Sequence, residues 1–296
     1  MGNILTKQFY RQRKDFEDSC AGRDAGLTFP EGVRCSTDIA YADDGIKAHL
    51  LDIYRPEDSQ EKILPVIINV HGGGLIIGNK EFNRYFCALL CKKGFLVYSI
   101  EYRLIPDCLI YDQIADVFIA MDYIKERLAA DGGDSSHVYM AGDSGGACLI
   151  TYANAIQNNT NIARAANVTP SGLRINALGL ISGMFYTSRF DKIGLFLPKY
   201  LYGRDYKKTP FAKYVNPENR ELLNSLAPVW LVTSHNDFLR RYTTDFEKAL
   251  TRAEREHELV VFPKNKKLTH AFSVFEPFLP ESSAVIDMMV EYLRKF

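Results

Sequence analysis

Short apolar, β-branched runs alternate along the chain with longer segments of helical spacing, the pattern of a largely parallel sheet covered by helices. After a polar start of helical character, VRCSTDIAYAD and IKAHLLDIYRP read as two paired strands, and the Asp43-Asp44-Gly45 turn between them suits a hairpin. Six buried runs follow: VIINV ending at Val70, FLVYSI at Ile100, HVYMAG at Gly142, ALGLIS at Ser182, VWLVTS at Ser234 and ELVVF at Phe262. That makes eight strand candidates. Between them, Val117, Met121, Ile124 and Leu128 recur at helical spacing within Ile114–Ala130. A second helix should open at the glycines after Ser144, and a last one should run from about Ser282 to Arg294. The stretch from Met184 to Leu226 breaks the rhythm. It is aromatic, contains proline and lysine, and has no strand of its own, so it reads as an insertion over the carboxyl edge of the sheet.

Composition narrows the class. With 47% hydrophobic and 24% charged residues the chain has ample material for a large core, and 36 basic residues balance 36 acidic ones. A zero net charge removes the footprint expected of a nucleic-acid binder. No apolar run is long enough to span a bilayer, so no stable membrane insertion is expected. The first twenty residues lack the apolar region of a secretory signal, although Gly2 and Thr6 fit the loose myristoylation pattern M-G-x-x-x-[ST]. The six cysteines are scattered without CxxC or framework spacing, and Cys87 and Cys91, four apart in a helical segment, read as packed thiols. A reducing cytoplasm is the expected compartment. The sequence is compatible with a homo-oligomer.

The chemistry gathers around Ser144, in Gly142-Asp143-Ser144-Gly145-Gly146, a G-x-S-x-G match between the strand HVYMAG and the helical segment ACLITYANAIQ. Small flanking residues let the backbone turn sharply from strand to helix and expose the hydroxyl. The helix amino terminus favours the negative charge that develops in acyl transfer. The same GDSGG string also resembles the nucleophile segment of trypsin-like proteases. Those are all-β, place histidine and aspartate before the serine, and have proline where Ala147 stands, so context rules against them.

His71-Gly72-Gly73-Gly74 directly follows VIINV. Consecutive glycines let backbone N–H groups approach a ligand atom, and two aimed at one point could hold an oxyanion. A nucleotide loop is the rival, but Ile77 occupies the position of its third glycine and no Walker lysine follows.

A triad on this scaffold needs an acid and then a base after the serine. Asp237 follows VWLVTS, at the strand end where open α/β sheets place their sites; its bland alternative is the N-cap of the helical FLRRYTTDFEKAL segment. Asp245 lies deeper in that helix and should face away. Only His257 and His270 follow Asp237. His257 precedes the last strand, at the wrong edge of the sheet, whereas His270 follows it, on the catalytic edge. No cluster with metal-ligand spacing is present.

The segments LDIYRP, HGGGLIIG, EYRLIPD, GDSGGA, SHNDFLRR and LTHAFSVF together resemble the hormone-sensitive-lipase-like branch of the α/β hydrolases, over nearly the whole chain from about Val33. The resemblance implies an α/β-hydrolase fold: an eight-stranded, mostly parallel sheet flanked by helices, one domain over 1–296, with a small cap from about 1–32 and 184–226. It implies a serine carboxylesterase acting on a small-molecule ester without a cofactor. Ser144, Asp237 and His270 would form the triad, the N–H groups of Gly73, Gly74 and Gly145 would form the oxyanion hole, and His71 would brace the glycine loop. Tyr102-Arg103-Leu104 and Asp107 match a structural segment. The pattern departs at Leu75, where an aromatic residue is common, at Gly145, where alanine is usual, and at Cys108-Leu109-Ile110-Tyr111, which lacks prolines. The insertion of 43 residues is small for a lipid-facing lid, so short acyl groups, on the order of two to eight carbons, are the expected substrates. The plant gibberellin receptors resemble this branch but have lost the base; here both acid and base are present. Amide, lactone and thioester substrates stay open at this stage.

Overall fold

The computed structural model describes residues 2–59 and 62–296; Met1 of the myristoylation pattern and of the expected cap lies outside them. The eight runs form one sheet: β1 Val33–Ala40, β2 Leu50–Pro56, β3 Leu64–Val70, β4 Leu96–Ile100, β5 Gly133–Asp143, β6 Leu178–Ile181, β7 Val229–Ser234 and β8 His257–Phe262. Their order is β1-β2-β4-β3-β5-β6-β7-β8. β2 lies antiparallel to both β1 and β4, and every other pair is parallel. The chain passes from β3 to β4 on one side and then crosses to β5 on the other. The carboxyl ends of β3 and β5 therefore flank the point where strand order reverses, where open α/β sheets form a crevice.

The central strands are apolar on both faces because helices cover both. Val66, Ile68 and Val70 of β3 and Val138 and Met140 of β5 pack into one core layer, while Ile67, Tyr139 and Ala141 turn into the other. The first layer is closed by helices α3 (Ile110–Arg127) and α4 (Ser144–Asn158), when α1 denotes Gly2–Asp24 and α2 Arg84–Lys92. The second layer is closed by α2 and the last helix, Pro280–Leu293. Cys87 and Cys91 of α2 are buried there as free thiols.

β1 and β2 pair as an antiparallel hairpin around Asp43-Asp44-Gly45, but its connection is wider than a two-residue turn: a loop, residues 41–49, closed by the Tyr41 N–H donating to His49 O (3.0 Å). Side chains explain the difference. Asp44 accepts the Ile46 N–H (3.0 Å) and meets Nδ1 of buried His49 (2.7 Å), whose Nε2 faces Asp116 on α3 (3.0 Å). Arg103 forks onto the same Asp116. The loop is held down on α3 by these contacts, which a two-residue turn could not reach.

The insertion folds as expected without a strand, into short helices at Lys192–Phe196, Pro198–Leu201 and Arg220–Asn224. α1 lies against it through Phe9 and Tyr200, whose ring centroids are 5.2 Å apart. Arg13 of α1 donates to the carbonyls of Ile76 (2.7 Å) and Ile105 (2.6 Å) and pairs with Asp107 (2.7 Å), which Tyr10 also contacts. The Tyr102–Asp107 segment thus anchors α1 beside the loop that follows β3.

Candidate active site

Ser144 stands where β5 ends and α4 begins, with φ of 49°, a left-handed conformation costly for any residue with a Cβ. Its neighbours explain how the turn is tolerated. A Cβ on Gly142 would stand 2.8 Å from Val70 O, and one on Gly146 only 2.1 Å from the same atom and 2.5 Å from His71 O. The two glycines let the elbow press against the end of β3, so Ser144 and His71-Gly72-Gly73-Gly74 share one site.

The candidate acid and base come together as well. His270 Nδ1 lies 2.7 Å from Asp237 Oδ1, which also accepts the Leu239 N–H at 2.7 Å. Asp237 thus serves its own loop and the imidazole together, and Leu239, not Asp237, immediately precedes the helix Arg240–Arg252. Burial works to raise the Asp237 carboxyl, but hydrogen bonds from His270, Ser182 and the Leu239 N–H hold it below the usual carboxylate range. Asp245 points elsewhere, to Arg189 (2.9 Å) and Arg241. His257, at the start of β8, contacts Arg255 O (2.7 Å) and Glu247, at the opposite end of the strand from the loop that carries His270.

The glycine loop is braced from beneath. His71 is fully buried and stacks on Tyr102, with centroids 4.3 Å apart. Its Nδ1 faces Gly72 O at 2.8 Å and its Nε2 faces Glu101 Oε1 at 2.9 Å. Both partners are acceptors, an arrangement only the imidazolium satisfies. Burial opposes that charge, yet the Glu101 carboxylate and the Gly72 carbonyl raise the His71 pKa above its ordinary value. Asp143 accepts the Gly72 N–H and Asn83 Nδ2, each at 3.0 Å; its burial pushes the carboxyl upward. Gly73 and Gly74 have φ of 103° and 61°, and a Cβ on Gly73 would fall 2.0 Å from Ile77 O. Among the described residues, no backbone or side-chain acceptor takes the N–H of Gly73 or Gly74. Gly145 lies in the first turn of α4, where the N–H has no intrahelical carbonyl.

Ser144 and His270 line one cavity of about 470 Å³ with Gly73 and Gly74. Its remaining wall is apolar apart from the buried Asp143: Ile76 and Ile77 beyond the glycines, Phe16 of α1, Met184, Ile193 and Leu197 of the insertion, Phe238 and Leu239 beside the acid, and Phe275. Both segments expected to form a cap therefore contribute to the wall.

Two residues of the site stand in the sequence only as ends of apolar runs. Thr233 Oγ1 of β7 donates to Asp237 Oδ2 at 2.8 Å. Ser182, just past β6 with φ of 51°, hydrogen-bonds Asp237 and accepts the Ala271 N–H at 3.1 Å, so one hydroxyl joins the acid to the residue after the base. Their one sequence signal is a hydroxyl residue at the carboxyl end of a buried strand. Among the described residues, no group of three His, Cys, Asp or Glu side chains is placed to hold a metal ion.

Comparison with known proteins agrees with this architecture. Curated relatives include a probable isoprenylcysteine alpha-carbonyl methylesterase of Oryza sativa subsp. japonica, 29% identical over 184 residues, which are 58% of this chain and 44% of the relative. Esterase LipC of Mycobacterium tuberculosis is 32% identical over 122 residues, 41% of this chain and 30% of the relative. The chain thus spans less than half the length of these relatives. Among solved structures, esterase B from Lactobacillus Rhamnosis superposes with a TM-score of 0.92 at 22% identity, over 99% of this chain and 95% of that one. A bacterial heroin esterase gives 0.72 at 23% identity, over 98% and 92%. The family described as alpha/beta hydrolase fold matches residues 67–273, well over half of the chain, and the protein belongs to that family, in keeping with its resemblance to the hormone-sensitive-lipase-like branch.

Proposed function

We propose that the protein is a carboxylic ester hydrolase working through an acyl-enzyme. The observation that carries the reading is His270, paired with Asp237 at 2.7 Å, lining one cavity with Ser144 at a strained elbow. His270 takes the proton from Ser144 as its oxygen attacks the ester carbonyl; Asp237 orients the imidazole and stabilises its charged form. The developing oxyanion accepts from the N–H groups of Gly73, Gly74 and Gly145. The imidazolium then protonates the leaving alcohol, and water, deprotonated by the same imidazole, releases the acid. No step calls on a cofactor. A cap formed by residues 1–32 and 184–226 on a single hydrolase domain keeps water from the apolar wall.

The substrate is a small ester with a short acyl group. A cavity near 470 Å³ suits a compact ligand, and its apolar wall favours uncharged groups beside the carbonyl. One structure of the Lactobacillus esterase holds a tributyrin phosphonate inhibitor, which favours a short acyl group. The Oryza protein is named a methylesterase, in whose ester the small group is the alcohol and not the acyl part. The test is a panel of chromogenic esters of increasing acyl length, run beside Ser144→Ala. We expect kcat/KM to peak within two to eight carbons, on the order expected for a compact pocket, and kcat of the variant to fall roughly 10⁴-fold or more with the fold retained. Full activity in Ser144→Ala, or kcat/KM still climbing past about twelve carbons, would overturn the respective claim.

A further inference from the structure

The insertion exposes large apolar side chains beside the cavity. Phe190 is 92% exposed, Leu195 56% and Phe196 57%, and the helix Lys192–Phe196 buries none of its residues. The same segment borders the cavity through Ile193 and Leu197, together with Phe238, itself 74% exposed and packed on His270 at 4.4 Å between centroids. Tyr242 donates to Asp191 and Arg189 lies over the Tyr186 and Tyr242 rings, so Phe190 is held next to the helix that follows Phe238. Apolar side chains gathered this way on one rim are a cost in water unless something covers them.

Charge identifies the cover. In a chain balanced at 36 basic and 36 acidic residues, the stretch from Met184 to Leu226 holds eight lysines and arginines against four aspartates and glutamates. Lys192 and Lys199 flank Leu195 and Phe196 in sequence, Arg240 follows Phe238 by two residues, and among the described residues none of the three has a carboxylate within ion-pair distance. Exposed aromatics interleaved with cations that no carboxylate neutralises match an anionic lipid surface: the rings enter the headgroup region while the cations stay at the phosphates. Among the described residues no helix is long and apolar enough to cross a membrane, so the contact is adsorption, not insertion.

We infer that the rim formed by Phe190, Leu195, Phe196 and Phe238 docks the protein on anionic membranes with the cavity mouth toward the lipid. Docking would bring esters dissolved in the bilayer to Ser144, but does not itself depend on catalysis.

Flotation with phosphatidylcholine vesicles, with and without phosphatidylglycerol, tests the inference. The protein should float with the anionic vesicles, stay behind with the neutral ones, and be released by high salt. Phe190→Ser/Phe196→Ser should weaken binding roughly tenfold or more, and Lys192→Glu/Lys199→Glu by a similar factor. None of these four side chains lines the cavity, so hydrolysis of a soluble ester should be unchanged. Ser144→Ala should float like the native protein, which separates this inference from the proposed activity. Equal recovery with both vesicle types, or a dimer that Phe196→Ser dissolves, would overturn it; the second result would make the rim an interface between copies.

Discussion

Replacing Gly145 with alanine adds one methyl group where the nucleophile elbow and the glycine loop touch. Its Cβ would stand 2.8 Å from Leu75 N and 3.0 Å from both N and Cα of Gly74, whereas ordinary contacts begin at 3.4 Å. Gly145 is not among the positive-φ glycines, so alanine fits its backbone and the strain falls on the neighbours. From 3.4 less 2.8 Å, the loop must retreat by about 0.6 Å. It cannot do so freely, because Gly72 is tied to Asp143, Ile76 O to Arg13, and Gly73 O to Ile76 and Ile77. The displaced Gly74 N–H is one of the proposed oxyanion donors. Losing such a donor outright costs roughly 10²–10³-fold in kcat, so a partial displacement should cost roughly 10–100-fold. KM should move little, since the donor acts on charge that appears in the transition state. Stability should also hold, because alanine in place of glycine within a helix returns roughly 0.5–1 kcal/mol against the loop strain. Steady-state kinetics on a soluble chromogenic ester, with thermal melts alongside, measure all three quantities. A variant that melts like the native protein and keeps kcat within about twofold would refute the assignment of Gly74 as a donor.

Other expectations follow from the same geometry. His270→Ala should approach the loss in Ser144→Ala, and the double variant should be hardly worse than either, whereas His257→Ala should leave kcat nearly unchanged; a damaging His257→Ala would contradict the placement of the base. Ser182→Ala removes the hydroxyl between Asp237 and the Ala271 N–H and should lower kcat roughly tenfold at constant KM, with loss of the downfield imidazole proton resonance shared with Asp237; an unchanged resonance would reduce Ser182 to a packing residue. The buried His71 imidazolium has a raised pKa, so its stabilisation is complete below the unfolded-state value, about 6.5, and is lost as pH climbs through the folded one. Urea midpoints should therefore decline on that alkaline side, and Glu101→Gln should flatten the decline; a midpoint independent of pH in the native protein would exclude the His71–Glu101 ion pair.

The central strands were legible because burial on both faces leaves near-continuous apolar runs. Asp237 and His270 were legible because each follows such a run at the sheet's carboxyl edge. What stayed hidden depends on register between strands. Ser182 reaches Asp237 only because β6 and β7 align Ile181 with Val232, which puts the residue after β6 beside the loop after β7. The width of the loop between β1 and β2 is hidden for a similar reason, since His49 answers to Asp116 on α3, a partner 67 residues away. Two of the departures from the family pattern, Leu75 and Gly145, look independent in the sequence and meet in space. Leu75 is buried with φ of 68°, and its backbone nitrogen occupies the place a Cβ on residue 145 would need. The two positions are coupled: the absence of a Cβ at 145 leaves room for the backbone of Gly74 and Leu75, and the Leu75 side chain is buried in the core. A variant with the usual alanine at 145 should therefore recover more activity when residue 75 is also changed than the single substitutions predict. The two effects would then fail to add, as they must for residues in contact.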